Sequence, residues 1–182
     1  MKKTFLALLF MGFTAVSMGQ ESDNDTRSSS DPKHEFRLDA LEGLIVPAVD
    51  ISYEYIISKY SGAGISAFIG LEDDADDYQS WAITPYYRQY FFNKQDYGAR
   101  GFFAEGVLQA GGGSDLQYLF DEDVNVEEDW TKFGIGFAIG QKWVSRNGFV
   151  VELSVGGGRY FGGDDVGPEG FFRGGASVGY RF

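Results

Sequence analysis

Hydrophobic positions recur with period two along most of this chain, and the last run shows the pattern clearly. Phe172, Gly174, Ala176, Val178, Tyr180 and Phe182 share one face, while Phe171, Arg173, Gly175, Ser177, Gly179 and Arg181 share the other. Side chains of a β-strand point alternately to opposite faces, so this is a strand signature. The run before it sets Phe149, Val151, Leu153 and Val155 against Val150, Glu152, Ser154, Gly156 and Gly158. Another sets Phe133, Ile135, Phe137 and Ile139 against Lys132, Gly134, Gly136, Ala138 and Gly140. A third opposes Val49, Ile51, Tyr53 and Tyr55 to Asp50, Ser52 and Glu54. A soluble sheet turns its bulky face inward. Here the other face is small or charged, which suits a narrow interior with the bulky face turned to lipid.

Eight such runs are read, at 35–43, 48–57, 63–71, 81–92, 101–111, 131–144, 149–161 and 171–182, with no convincing helical stretch among them. About 9 to 11 residues suffice for a tilted membrane strand. The expected fold is therefore all-β, an eight-stranded antiparallel up-and-down transmembrane β-barrel. The connections support it. Residues 72–80, 114–130 and 162–170 hold 15 of the 27 acids and no Lys or Arg, while the turns between them are shorter and basic. Long outer loops alternating with short inner turns are the expected order in such barrels. The first outer connection, Leu44 to Pro47, departs from it by being short and apolar. Trp81, Trp130 and Trp143 fall at or beside predicted strand ends, where interfacial aromatic belts sit.

The first residues read differently. Lys2 and Lys3 precede an apolar stretch from Phe5 to Val16 and small residues at Ser17 and Gly19, the pattern of a secretory signal peptide. Residues 1–19 are expected to be that signal, 20–34 a flexible polar lead-in, and 35–182 the barrel. Removing Lys2 and Lys3 takes the formal charge from −12 to −14, which disfavours nucleic acid as a partner. The chain has no cysteine, so a lipoprotein anchor and thiol chemistry are excluded. The 26 glycines and 31 aromatics (3 Trp, 11 Tyr, 17 Phe) suit a barrel with aromatic outer belts and a crowded interior.

Three stretches carry a family resemblance: Leu44 to Tyr55 (LIVPAVDISYEY), Gln141 to Phe161 (QKWVSRNGFVVELSVGGGRYF) and Ser177 to Phe182 (SVGYRF). On them the chain resembles small Gram-negative outer-membrane barrels grouped under a domain of unknown function, of OmpA/OmpX-type build. The resemblance implies fold and location and brings no catalytic residue. The face of Val178, Tyr180 and Phe182 resembles the recognition signal of the barrel-assembly machinery.

Inward parity collects Asp50, Glu54, Arg88, Glu105, Lys132, Lys142, Glu152, Arg173 and Arg181. A lumen this narrow favours a paired network that fills it, because unpaired buried charges are costly; a selectivity filter or proton path is the sharper alternative. Gly134, Gly136 and Gly140 lack the spacing of a phosphate-binding loop and read as small lumen positions. Asp73, Asp74, Asp76, Asp77, Asp121, Glu122 and Asp123 are weak candidates for divalent cations, without the spacing of a calcium loop. A solvated anionic surface is the plainer reading of them. The one histidine, His34, falls in the lead-in, so no Ser-His arrangement is available within the barrel and no enzymatic activity or cofactor is expected.

The function expected is a structural or surface-interaction role in the outer membrane of a Gram-negative bacterium. A narrow ion or small-solute pore and a soluble periplasmic ligand-binding barrel are the alternatives. Expected partners are outer-membrane lipid, lipopolysaccharide and the assembly machinery, with the chain a monomer.

Overall fold

The computed structural model describes residues 32–40, 47–71, 79–91, 99–119, 124–162 and 166–182, with the backbone alone at 115–119 and 124–127. The signal peptide and most of the lead-in read from the sequence lie outside these residues. Eight strands follow one another: β1 (His34–Asp39), β2 (Ala48–Ser58), β3 (Ser61–Gly70), β4 (Trp81–Phe91), β5 (Gly101–Leu119), β6 (Val124–Val144), β7 (Phe149–Phe161) and β8 (Gly170–Arg181). Each pairs antiparallel with the next, and β1 pairs with β8 from Glu35↔Arg181 to Asp39↔Ser177. The sheet is a closed, up-and-down, eight-stranded barrel, as the alternation predicts. The end at which β2 passes to β3, β4 stops at Phe91 and β6 passes to β7 is called the turn end; the other is the loop end.

The period-two pattern sorts as read. Phe133, Ile135, Phe137 and Ile139 of β6 face outward, Phe137 being 69% exposed, while Lys132, Ala138 and Lys142 are buried. Val178, Tyr180 and Phe182 also face outward. Trp81 and Trp143 are exposed as an outer belt requires. Trp130 is not: it is 5% exposed and lies edge-on to Tyr160 inside the barrel. Its even number gives it the parity of Lys132, and parity prevails over its position near a strand end.

Three boundaries differ from the sequence reading by more than two residues. β1 ends at Asp39, short of the expected 43, and the ladder of β5 with β6 continues through Gly113↔Trp130 to Leu119↔Val124. Most of the expected loop 114–130 is thus a two-stranded hairpin. Its acids mask a residual strand pattern, since Leu116, Tyr118, Val124 and Val126 keep β-prone residues at alternate positions. Backbone pairing does not need an apolar face.

Aromatic side chains also enter the lumen. Ile56, Tyr90, Ala99 and Phe103 pack together toward the turn end. Tyr86, Val107, Trp130, Tyr160 and Phe171 pack from the middle toward the loop end. Lumen glycines make the room. A Cβ at Gly134 would lie 2.7 Å from the Phe171 ring, one at Gly140 2.5 Å from the Phe103 ring, and one at Gly111 2.6 Å from the Tyr160 hydroxyl. Gly134, Gly136 and Gly140 therefore sit inside strand β6 as small lumen positions, not in a phosphate loop.

Candidate functional site

The charges of the lumen are placed by register. Arg88 of β4 stands opposite Glu105 of β5, and Lys142 of β6 opposite Glu152 of β7. Opposed unlike charges stabilise an antiparallel pair. Glu54 is fully buried and accepts from Arg37 Nη1 at 2.7 Å, Arg88 Nη1 at 3.1 Å, Lys142 Nζ at 2.8 Å and the Tyr90 hydroxyl at 2.6 Å. Glu152 accepts both Nη groups of Arg88, at 2.6 and 2.8 Å. Such forked guanidinium–carboxylate pairs are the strong, geometrically specific kind.

Glu35 accepts from Arg37, from Lys142 Nζ at 2.7 Å and from Arg181 at 2.9 and 2.7 Å. Glu105 takes Arg88 Nε and, at 3.1 Å, Arg173 Nε. The Arg88 guanidinium also lies 4.7 Å from the Tyr86 ring centre and 4.2 Å from that of Phe103. Arg37 reaches the Tyr86 hydroxyl at 2.7 Å. Cations are thus held by rings as well as by carboxylates.

Of the nine lumen charges read from the sequence, eight meet in this network. Lys132 is also inside, but its Nζ donates to the carbonyls of Gly167 and Pro168, at 3.1 and 3.4 Å, and so ties down the connection between β7 and β8. Glu35 and Arg37 escaped the sequence reading although both lie on the polar face of β1, opposite Phe36 and Leu38. The signal was there: HEFRLD alternates, with its charged positions in phase with the lumen. His34 is the first residue of β1, exposed, and bonded through Nδ1 to the Tyr53 hydroxyl at 2.8 Å. The loop candidates Asp73, Asp74, Asp76, Asp77, Asp121, Glu122 and Asp123 lie outside the described residues.

Among the described residues, Glu35, Glu54 and Glu152 form the one group of carboxylates close enough to share a metal ion. The Lys142 ammonium already stands within bridging distance of all three, at 2.7, 2.8 and 3.6 Å. A fixed ammonium supplies the positive charge that a metal would bring.

Among solved structures, the chain is similar to the N-terminal β-barrel domain of OprF from Pseudomonas aeruginosa. The likeness covers 84% of this chain and 98% of that domain, with a TM-score of 0.53 at 15% identity. No protein-family model matches the chain, and the comparison with curated proteins returns no match. At this identity the likeness concerns fold, and it agrees with the closed eight-stranded ring.

The network divides the interior unequally. On its loop side lies a cavity of about 230 Å³, with Arg88 and Glu152 among its lining residues and with Asp39, Asp50, Thr84 and Gln109 on its walls. Asp50 meets Arg173 Nη1 through Oδ2 at 3.4 Å, and its Oδ1 is buried with no hydrogen-bond partner. On the turn side, the cluster of Tyr90 and Phe103 and the Arg181 contact with the Ala99 carbonyl at 2.6 Å fill the section. The arrangement can hold a solute from one side and oppose its passage to the other.

Proposed function

We propose that this protein is an outer-membrane β-barrel with a closed lumen and a structural or surface-interaction role. The observation that carries this reading is its inverted distribution of side chains. Ile51, Ile65, Leu108, Ile135, Phe137 and Val155 are exposed around the wall, while Glu35, Glu54, Arg88, Lys142 and Glu152 are buried within it. Apolar side chains belong outside a barrel only where the surroundings are also apolar. A soluble ligand-carrying barrel needs the opposite distribution.

Export by the signal peptide, a Gram-negative source and engagement of the assembly machinery complete the proposal, and lipid and lipopolysaccharide are the partners at the wall and rim. A ring with no free sheet edge has no strand to lend to a second copy, which favours a monomer. The hydrogen-bonded charges across the section favour a closed lumen over the narrow pore.

Cell fractionation with gel migration of unheated samples tests the proposal. The protein is expected in the outer-membrane fraction, migrating faster before boiling than after. Recovery in the soluble periplasmic fraction would overturn it.

A further inference from the structure

One ion pair on the wall of the loop-side cavity is only half satisfied. Asp50 meets Arg173 through Oδ2 and Nη1 at 3.4 Å, and both residues line the space. The other Asp50 oxygen, Oδ1, is buried with no hydrogen-bond partner among the described residues. Arg173 gives Nε to Glu105 at 3.1 Å and Nη1 also to Ser66 Oγ at 2.9 Å, whereas its Nη2 makes no hydrogen bond among the described residues. The pair thus presents an acceptor without a donor and a donor without an acceptor. Each is costly to leave unmatched away from water.

Charge does not call for an ion there. Glu35, Asp50, Glu54, Glu105 and Glu152 are paired with Arg37, Arg88, Lys142, Arg173 and Arg181, five carboxylates with five cations. Asp39, also on the wall, has partners of its own, Ser177 Oγ among them at 3.3 Å. The rest of the lining mixes the hydroxyls of Ser52, Thr84 and Ser154 with apolar Phe68 and Ala82. Hydroxyls can both donate and accept. The volume of about 230 Å³ is several times the roughly 30 Å³ share of one water, yet below the span of about 300–1,000 Å³ usual for drug-sized ligands.

We propose that this cavity binds a small neutral polyol through two neighbouring hydroxyls, one donating to Asp50 Oδ1 and the other accepting from Arg173 Nη2. A vicinal diol carries the missing donor and the missing acceptor side by side, on a carbon skeleton that suits Phe68 and Ala82. Hydrogen bonds to a carboxylate or a guanidinium are charge-assisted and about twice as strong as those between neutral groups. The inference goes beyond the structural role and does not depend on membrane placement, since the site lies inside the barrel wall.

Calorimetric titration of the refolded full chain with erythritol tests it, in micelles of a zwitterionic detergent whose headgroup carries no hydroxyl. Saturable binding of one erythritol per chain is expected, and none of 1-butanol, which keeps the carbon chain with a single hydroxyl. n-Butylammonium should not displace erythritol. Asp50→Asn should weaken the affinity at least about tenfold, the worth of one charge-assisted hydrogen bond, while leaving circular dichroism and unheated gel migration unchanged. Should Asp50→Asn not fold, Ser154→Leu, which fills the cavity from β7 without touching a charge, is expected to abolish binding and decides the matter. Absence of saturable erythritol binding would leave the cavity to water and overturn the proposal. Equal binding of 1-butanol, displacement by butylammonium, or unchanged affinity in either folded variant would overturn it as well.

Discussion

Glu35 and Glu54 stand directly opposite each other on β1 and β2, two buried carboxylates in one rung of the lumen. Like charges so placed repel. Lys142 Nζ from the far wall lies 2.7 Å from one and 2.8 Å from the other, and Arg37 touches both. The pair is tolerable because these shared cations, together with Arg181 at Glu35 and Arg88 at Glu54, answer both charges.

Lys142→Met should therefore destabilise the barrel by about 3–5 kcal/mol, the usual cost of leaving a buried charge without its partner. Glu54→Gln in the same background should recover part of that loss, giving a coupling energy in a double-mutant cycle. Urea unfolding in lipid vesicles measures both. A single-variant loss below about 1 kcal/mol would show that the shared cation is dispensable.

Facing can be tested on the wall. Phe137 is 69% exposed in the middle of β6, whereas Ser154 of β7 lines the cavity. Phe137→Arg should cost about 2–4 kcal/mol in lipid, as for a cation near the bilayer midplane, and Ser154→Ala should change stability by less than about 0.5 kcal/mol. Equal tolerance at the two sites in a reversible folding assay would contradict an outward, lipid-facing Phe137.

Conductance separates closed lumen from pore. The purified protein in planar bilayers should show no steady current, because Arg88 and Lys142 tie carboxylates from opposite walls across the section. Glu152→Ala should lower the unfolding midpoint rather than open a channel. Stable ion-selective currents in the unmodified protein, lost in a folded Glu152→Ala, would promote the pore.

Glycine–aromatic fit yields a fourth expectation. Gly111→Ala brings a methyl to within 2.6 Å of the Tyr160 hydroxyl, so it should cost roughly 1–3 kcal/mol by overpacking. Tyr160→Phe removes that hydroxyl together with its bonds to Gln109 at 2.6 Å and Gln79 at 2.9 Å. The double variant should lose less than the sum of the two single losses. Strict additivity, read from denaturant midpoints, would mean that the two positions do not press on one another.

Strand number, order and facing were legible because alternation is a local property of the chain, and Phe133 to Ile139 or Phe149 to Val155 display it without outside help. Eight network charges followed from the same parity. Glu35 and Arg37 were missed because β1 is only six residues long and adjoins a polar lead-in, where a charge looks like more of the same. Tyr86, Tyr90 and Phe103 share the parity of Arg88 and Glu105, yet aromatic residues in a barrel are expected on its belts, and the expectation outweighed the count. Parity says which side a residue faces and nothing of its depth or partner. Which acid meets which base across the lumen, as Lys142 meets Glu35 and Arg181 meets Glu35, depends on how β1 closes against β8, and no stretch of sequence contains that fact. The cavity was illegible for the same reason, since Asp39, Asp50 and Arg173 come together only across the closed ring.

The partners of the network lie far apart along the chain, 107 residues for Lys142 with Glu35 and 146 for Arg181 with Glu35. A single hairpin satisfies only a few of these charges, and an open sheet of eight strands would still hold Glu35 away from Arg181. In an apolar surrounding each unmatched charge weighs against a half-built intermediate, so stability arrives with the last seam. Electrostatics inside the wall thus acts as a proofreader of closure, holding shut a ring that has met itself and giving no resting place to one that has not.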